Sequence, residues 1–286
     1  MKASNKDSKK GRRLTVGELA PRVWRESLDD NVLGTAAELS YYFLLALFPL
    51  LIFMTSIIGF LPGADNSLLI GLQRALPPDA MKLVREVLDD VVSHRSGGLL
   101  SFALIGTVWA ASSGVGSLMD ALNKAYETTE NRPFWKQRLV AIALTLIFAL
   151  LVVGGSGLIM IGHRLGGWLD RALELSAALK FASTVLGYVT GLGLLLAGIA
   201  ALYYFGPNIK PAERRVLPGA LFASMGVVIG SLLFSVYLRV APSASATYGS
   251  LGAVVTLMLW LYLIGLLLLV GGEINSEVAR AAKPDA

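Results

Sequence analysis

The chain has 286 residues, 55% of them hydrophobic and 16% charged, and a mean hydropathy of +0.63. Ordinary soluble domains carry roughly 25% charged residues, and a water-soluble fold of this length could not hide so much apolar surface. The absence of cysteine rules out disulfides, thiolate chemistry and cysteine–metal sites. The two histidines, His94 and His163, stand on either side of two long apolar runs, so no histidine-bound metal is expected, and no cofactor either. A net charge of +5 would point to nucleic acid or a membrane surface in a soluble protein. Here the placement of the charges matters more than their sum.

The first 30 residues form a polar, basic arm. Its opening stretch has a disordered composition. Residues 14–30 can form a short amphipathic helix with Leu19, Val23, Trp24 and Leu28 on one side. The apolar run that follows is too long for a secretory h-region.

Six stretches then lack Asp, Glu, Lys, Arg and His: residues 39–64, 96–119, 139–162, 181–209, 216–238 and 240–272. Each exceeds the roughly 20 residues that cross about 30 Å of hydrocarbon. The expected fold is therefore all-α, a polytopic membrane protein built as a six-helix bundle. Its spans lie near 39–62, 96–119, 139–162, 181–206, 216–238 and 249–272. They make up a transmembrane domain over 31–278, with a short tail at 279–286.

Glu38 stands just before span one, which opens with Tyr41 and Tyr42 and carries Pro49; that proline has no backbone donor and predicts a kink with exposed carbonyls. After it, residues 79–92 place Met81, Val84, Val87, Leu88 and Val91 at helical spacing. That segment reads as an external amphipathic helix, at the membrane interface or packed on other loops. Span two has Gly106, Ala110, Gly114 and Ser117 along it and ends in Asp120 and Asn123, followed by Tyr126, Glu127 and Arg132. Span four carries Gly187, Gly191 and Gly198 and breaks at Pro207, just before Asn208. Span five has Gly219, Ala223, Gly226 and Gly230 at intervals of three or four. Such small-residue stripes let helices approach closely, either as fixed packing or as surfaces that slide. Span six ends in Gly271 and Gly272, then Glu273 and Asn275. Trp135 and Trp168 fit interfacial anchors, whereas Trp109 and Trp260 sit well inside spans.

With both tails inside, 17 Lys and Arg face the cytoplasm and 8 face out, the bias of the positive-inside rule. Glu38, Asp120, Asn208 and Glu273 then lie at cytoplasmic helix ends. Two readings fit them: a vestibule on a substrate path, or a polar collar that ties helix ends together.

Four ordered stretches carry a family resemblance. They are AAELSYYFLLALFPL at 36–50; DALNKAY at 120–126 with RPFW at 132–135; YYFGPN at 203–208 with PGA at 218–220; and YGSLG at 248–252 through WLY at 260–262 to GEIN at 272–275. Together they resemble the YihY/BrkB family of bacterial inner-membrane proteins, from about Trp24 to Val278. The resemblance implies a multi-pass protein of the inner membrane. It supplies no catalytic set, and the family's older label, ribonuclease BN, is a misassignment.

A metal-dependent nuclease needs ligands converging in water beside phosphate-binding cations. The nearest approach is Asp89 and Asp90, which diverge on a helix and lie on the outer side. No Gly-x-x-x-x-Gly-Lys loop serves ATP, and no Gly-x-Ser-x-Gly elbow serves a hydrolase. The chain is not expected to be an enzyme or to bind nucleic acid. The leading expectation is a secondary transporter or a translocator of lipid or envelope precursors. The alternative is a non-transporting membrane scaffold for envelope machinery. Membrane lipids are expected partners, a lipid-like or small-solute substrate fits the first reading, and a homo-oligomer suits either.

Overall fold

The computed structural model describes residues 15–58, 81, 100–173, 177–211, 214–240 and 250–282. Seven helices and no strand occur among them: α1 (Val16–Asp29), α2 (Val32–Ile58), α3 (Leu100–Ala125), α4 (Phe134–Leu173), α5 (Ala177–Phe205), α6 (Leu217–Val240) and α7 (Ser250–Ala281). Each of the six expected spans falls largely within one of α2 to α7. Of the expected external helix at 79–92, only Met81 is described. It is helical and buried against Leu257 and Leu261, with Phe43, Leu47 and Trp260 around it.

Among the described residues, four segments are long and apolar enough to cross a membrane: Phe134–Val152, Val185–Phe205, Leu217–Val240 and Gly252–Ala281. A shorter apolar helical stretch covers Val32–Leu47. Large apolar side chains on α5 and α6, among them Leu186, Val189, Leu232, Leu233 and Val236, are exposed. Water would penalise that surface at roughly 25 cal/mol per Å²; lipid would not.

The helices form a ring in chain order. Each of α2 to α6 packs on its successor, and α7 closes the ring on α2. The arm helix α1 lies against α7 and α2, and α7 also reaches α3. Thr15, in extended conformation at the N-cap of α1, donates its amide to Glu18 Oε2 at 3.2 Å, half of a capping box. The expected apolar face of α1 is divided: Val23 is buried against the protein, whereas Trp24 and Leu28 are exposed. Pro49 lies inside an α2 that runs unbroken to Ile58.

Chain alternation brings the start of α2, α4 and α6 together with the end of α3, α5 and α7. The main core sits at that end and contains Ala36, Leu39, Met119, Leu122, Leu144, Leu202, Tyr203, Ala220, Ala223 and Leu269. Glycines make the tight packing possible. A Cβ on Gly219 would strike the Gly271 carbonyl oxygen, and one on Gly271 would strike the Tyr203 hydroxyl. A Cβ on Gly272 would meet Leu122 Cδ2 at 2.7 Å. Consecutive glycines thus let α7 nest against α5 and α6 on one side and α3 on the other. Further along, Gly226 and Gly230 seat the side chains of Leu267 and Leu263. Gly187, Gly191 and Gly193, toward the other end of α5, have nothing within 4 Å of an added Cβ.

Candidate functional site: the packed end of the bundle

The connection from α3 to α4 clasps the end of α5. Helix α3 stops in a Schellman arrangement, with Thr128 N donating to Asn123 O at 2.9 Å and Glu127 N to Lys124 O at 2.8 Å. Glu127 takes φ 48° there, unusual for a residue with a side chain. The buried Asn123 then works in both directions. Its Oδ1 accepts from Asn208 N at 2.7 Å, and its Nδ2 donates to Glu130 Oε2 at 3.0 Å. Thr128 Oγ1 donates to Asn208 O at 3.1 Å.

Arg132 completes the clasp. It pairs with Glu130 at 2.6 Å and donates to the carbonyls of Gly206 at 2.7 Å and Phe205 at 3.3 Å. Those are among the carbonyls that a helix leaves without internal partners, at the end where a cation is favoured. The hydrogen bond from Arg132 holds the Glu130 carboxyl below the usual carboxylate range, against the opposing effect of burial.

A second joint links α5, α6 and α7. Tyr203, fully buried, donates its hydroxyl to Leu268 O at 2.6 Å. Gly219 N donates to Asn275 Oδ1 at 2.7 Å. Both bonds sit where the glycines bring the backbones together.

Beneath this joint lies an acidic cluster. Glu273 has no exposed surface, and neither carboxyl oxygen has a hydrogen-bond partner. It faces Asp30 in the turn between α1 and α2, whose Oδ2 is also buried without a partner. The Tyr126 hydroxyl lies beside Asn275 and Glu273, yet closes no hydrogen bond of good geometry. Burial pushes the Tyr126 phenol well above its usual range. Around this core, Arg280 contacts Glu26 at 3.4 Å, Glu127 at 3.0 Å and Glu277 at 3.4 Å. Arg22 reaches Glu277 at 3.9 Å.

The expected site residues therefore separate. Asn123, Tyr126, Asn208, Glu273 and Asn275 gather at the packed end. Gly219 and Ala223 lie in the same core, whereas Gly226 and Gly230 pack further along α6. Glu38 and Tyr41 are exposed on α2; Tyr42 is half-buried, edge-on to Tyr41 at 5.7 Å between ring centres. Asp120 is exposed and accepts from Gln137 Nε2 at 2.6 Å. Glu38 and Asp120 do not join Glu273 in a carboxylate group.

Sequence reasoning did not single out Asp30, Glu130 or Arg280. Their partners come from distant segments, so no local spacing marks them. Nor did it pair Arg138 of α4 with Trp109 of α3, over which the guanidinium lies 4.0 Å from the ring centre. Trp260 is a packing residue that also donates to Ser231 Oγ at 3.2 Å. Among the described residues, no three His, Asp or Glu side chains come close enough to hold a metal ion.

A family model described as virulence factor BrkB matches residues 23–286. The ribonuclease-like protein YfkH of Bacillus subtilis is 39% identical over 258 residues, covering 87% of this chain and 91% of that protein. A UPF0761 membrane protein of Actinobacillus pleuropneumoniae is 28% identical over 252 residues, covering 87% and 88%. Another, PSHAa0171 of Pseudoalteromonas translucida, is 24% identical over 262 residues, covering 88% and 83%. No solved structure matches the chain. Apolar helices, a glycine-packed end and a match over nearly the whole length agree, and the chain belongs to the BrkB family of membrane proteins.

Proposed function

We propose that α2 to α7 cross a bacterial inner membrane six times, with both termini and the packed end in the cytoplasm. In this reading the protein moves a lipid-like or small amphipathic solute across that membrane without nucleotide hydrolysis. The observation that carries it is the sealed end of the ring. That end is closed by glycine contacts and clasped loops, with a buried acidic group behind them. A bundle sealed at one face is one half of an alternating-access cycle. A carboxyl buried at the end of a span is costly and, like those within spans, commonly functional. The distribution of Lys and Arg, 17 to 8, supports the cytoplasmic placement of the sealed end.

The scaffold reading draws on a different observation. Asn123, Asn208 and Arg132 are spent on backbone and side-chain bonds within the chain, leaving them no role on a solute path. They form a collar. Glu273 is the residue on which the two readings differ.

The test is the rate at which a fluorescent phospholipid crosses proteoliposome membranes, with empty vesicles as the baseline. Movement several-fold above baseline, lost in a Glu273→Gln variant that still reconstitutes, is the expected result. Rates equal to empty vesicles, with and without an imposed pH or sodium gradient, would overturn lipid translocation and favour the scaffold.

A further inference from the structure

We propose that Asp30 and Glu273 form a binding site for one exchangeable proton, held between their carboxyl groups at the joint of the α1–α2 turn and α7. Glu273 is wholly buried, and both its oxygens lack a donor. It faces Asp30, which presents a second buried oxygen without a donor. Two ionised carboxylates facing each other without donors repel, and each forfeits its hydration. One proton between them turns an acceptor–acceptor contact into an O–H···O⁻ hydrogen bond, among the strongest available.

The surrounding charges do not remove the need for that proton. From α1 come Arg22 and Glu26, from the end of α3 Lys124, from the following turn Tyr126 and Glu127, and from α7 Glu277 and Arg280. Lys124 Nζ is directed to the backbone carbonyl of Asp30 at 2.5 Å. Arg22 is drawn to Glu277. Arg280 also acts on Glu273 through space, but its contacts are shared among Glu26, Glu127 and Glu277. No cation forms an ion pair with Glu273 among the described residues. The Tyr126 hydroxyl beside the pair is a neutral donor that can follow the proton without competing for it.

Because Asp30 belongs to the arm and Glu273 to the bundle, loss of the proton would set two negative charges against each other across the α1–α7 contact. Arm position would then report proton occupancy. Occupancy of the site does not depend on the transport reading; its use as the coupling site for transport does.

The experiment is infrared difference spectroscopy of the purified full-length protein, titrated from about pH 5 to about pH 9, on either side of the neutral range where ordinary carboxyls are fully ionised. The expected result is one protonated-carboxyl C=O band at neutral pH that shifts in heavy water. It should disappear in Glu273→Gln and move in Asp30→Asn. If Glu273→Gln does not fold, Asp30→Asn alone decides, because a band that does not move there overturns the pair. Absence of the band in the wild type at neutral pH overturns the proposal. So does its loss when sodium chloride replaces choline chloride, which would make the occupant a metal cation. Lipid flux on the same preparations separates the two readings. A band without flux keeps the proton site and removes its coupling role, whereas flux without the band keeps transport and removes the proton site.

Discussion

Gly271→Ala is expected to lose most of its folded protein on extraction into detergent and to melt well below wild type. The added methyl would collide with the Tyr203 hydroxyl and lie 2.8 Å from the Gly219 carbonyl oxygen and 3.2 Å from Ala223 Cβ. All three neighbours are backbone or fully buried, so relief requires moving α5 or α6. Overpacking of this kind costs about 1–3 kcal/mol. The movement also strains the bonds from Tyr203 to Leu268 and from Gly219 to Asn275. Leaving a buried partner unpaired costs about 1–3 kcal/mol more.

Gly187→Ala and Gly191→Ala provide the contrast. Their added methyl groups meet nothing within 4 Å, and alanine gains about 0.5–1 kcal/mol over glycine inside a helix. Thermal unfolding of the three variants should therefore move in opposite directions. Equal losses in all three would show that glycine at these positions serves flexibility and not close packing.

Arg132→Ala is expected to destabilise by about 3 kcal/mol, the scale for removing one member of a largely buried pair. Three losses coincide: the partner of Glu130, the donors to Phe205 and Gly206, and the anchor of the α3–α4 connection. Arg132→Lys should recover little of this, since an ammonium cannot reproduce the planar fork that bonds Glu130 and two carbonyls together. Replacing Glu130 by Gln in the same background should recover part of it, because the stranded charge is then gone.

The clasp should also weaken in acid. The folded-state value of Glu130 is depressed, chiefly by its hydrogen bond from Arg132, so its stabilisation is present above the unfolded carboxyl value of about 4.3. It is lost as pH falls through the lower folded value. The stability difference between wild type and Glu130→Gln should hold from neutral pH to about pH 5 and shrink below about pH 4. A difference that does not change with pH would separate Glu130 from the ion pair.

The helices were largely legible in the sequence because lipid-facing surface demands long uncharged runs. Their ends were not. Helix α4 continues through His163 and Arg164 to Leu173, and α7 runs past Glu273 and Glu277 to Ala281. An uncharged run marks where lipid contact ends, whereas a helix continues until a cap or proline stops it. Pro207 was read correctly as such a stop. Asn123, Asn208 and Asn275 stood out as polar groups at apolar ends, but the bond between Asn123 and Asn208 joins residues 85 positions apart. The Gly219 stripe was visible, and its fixed-packing reading fits the contacts. That Gly271 completes the joint follows only from the crossing of α6 and α7. Glu38 is exposed on α2, and a carboxylate about two turns into an apolar helix looks the same in sequence whether it faces inward or outward.

The proposed orientation puts the sealed end of the bundle in the cytoplasm. The chain has no cysteine, so single cysteines can be placed at exposed sites in an otherwise unreactive background. Lys136→Cys and Lys210→Cys would report the clasped end, and Arg239→Cys the far end of α6. An impermeant maleimide applied to intact spheroplasts should label Arg239→Cys alone. Lys136→Cys and Lys210→Cys should react only after the membrane is opened. Labelling of either lysine position in intact spheroplasts, with Arg239→Cys protected, would reverse the orientation and place the proton pair and the clasp on the outer face.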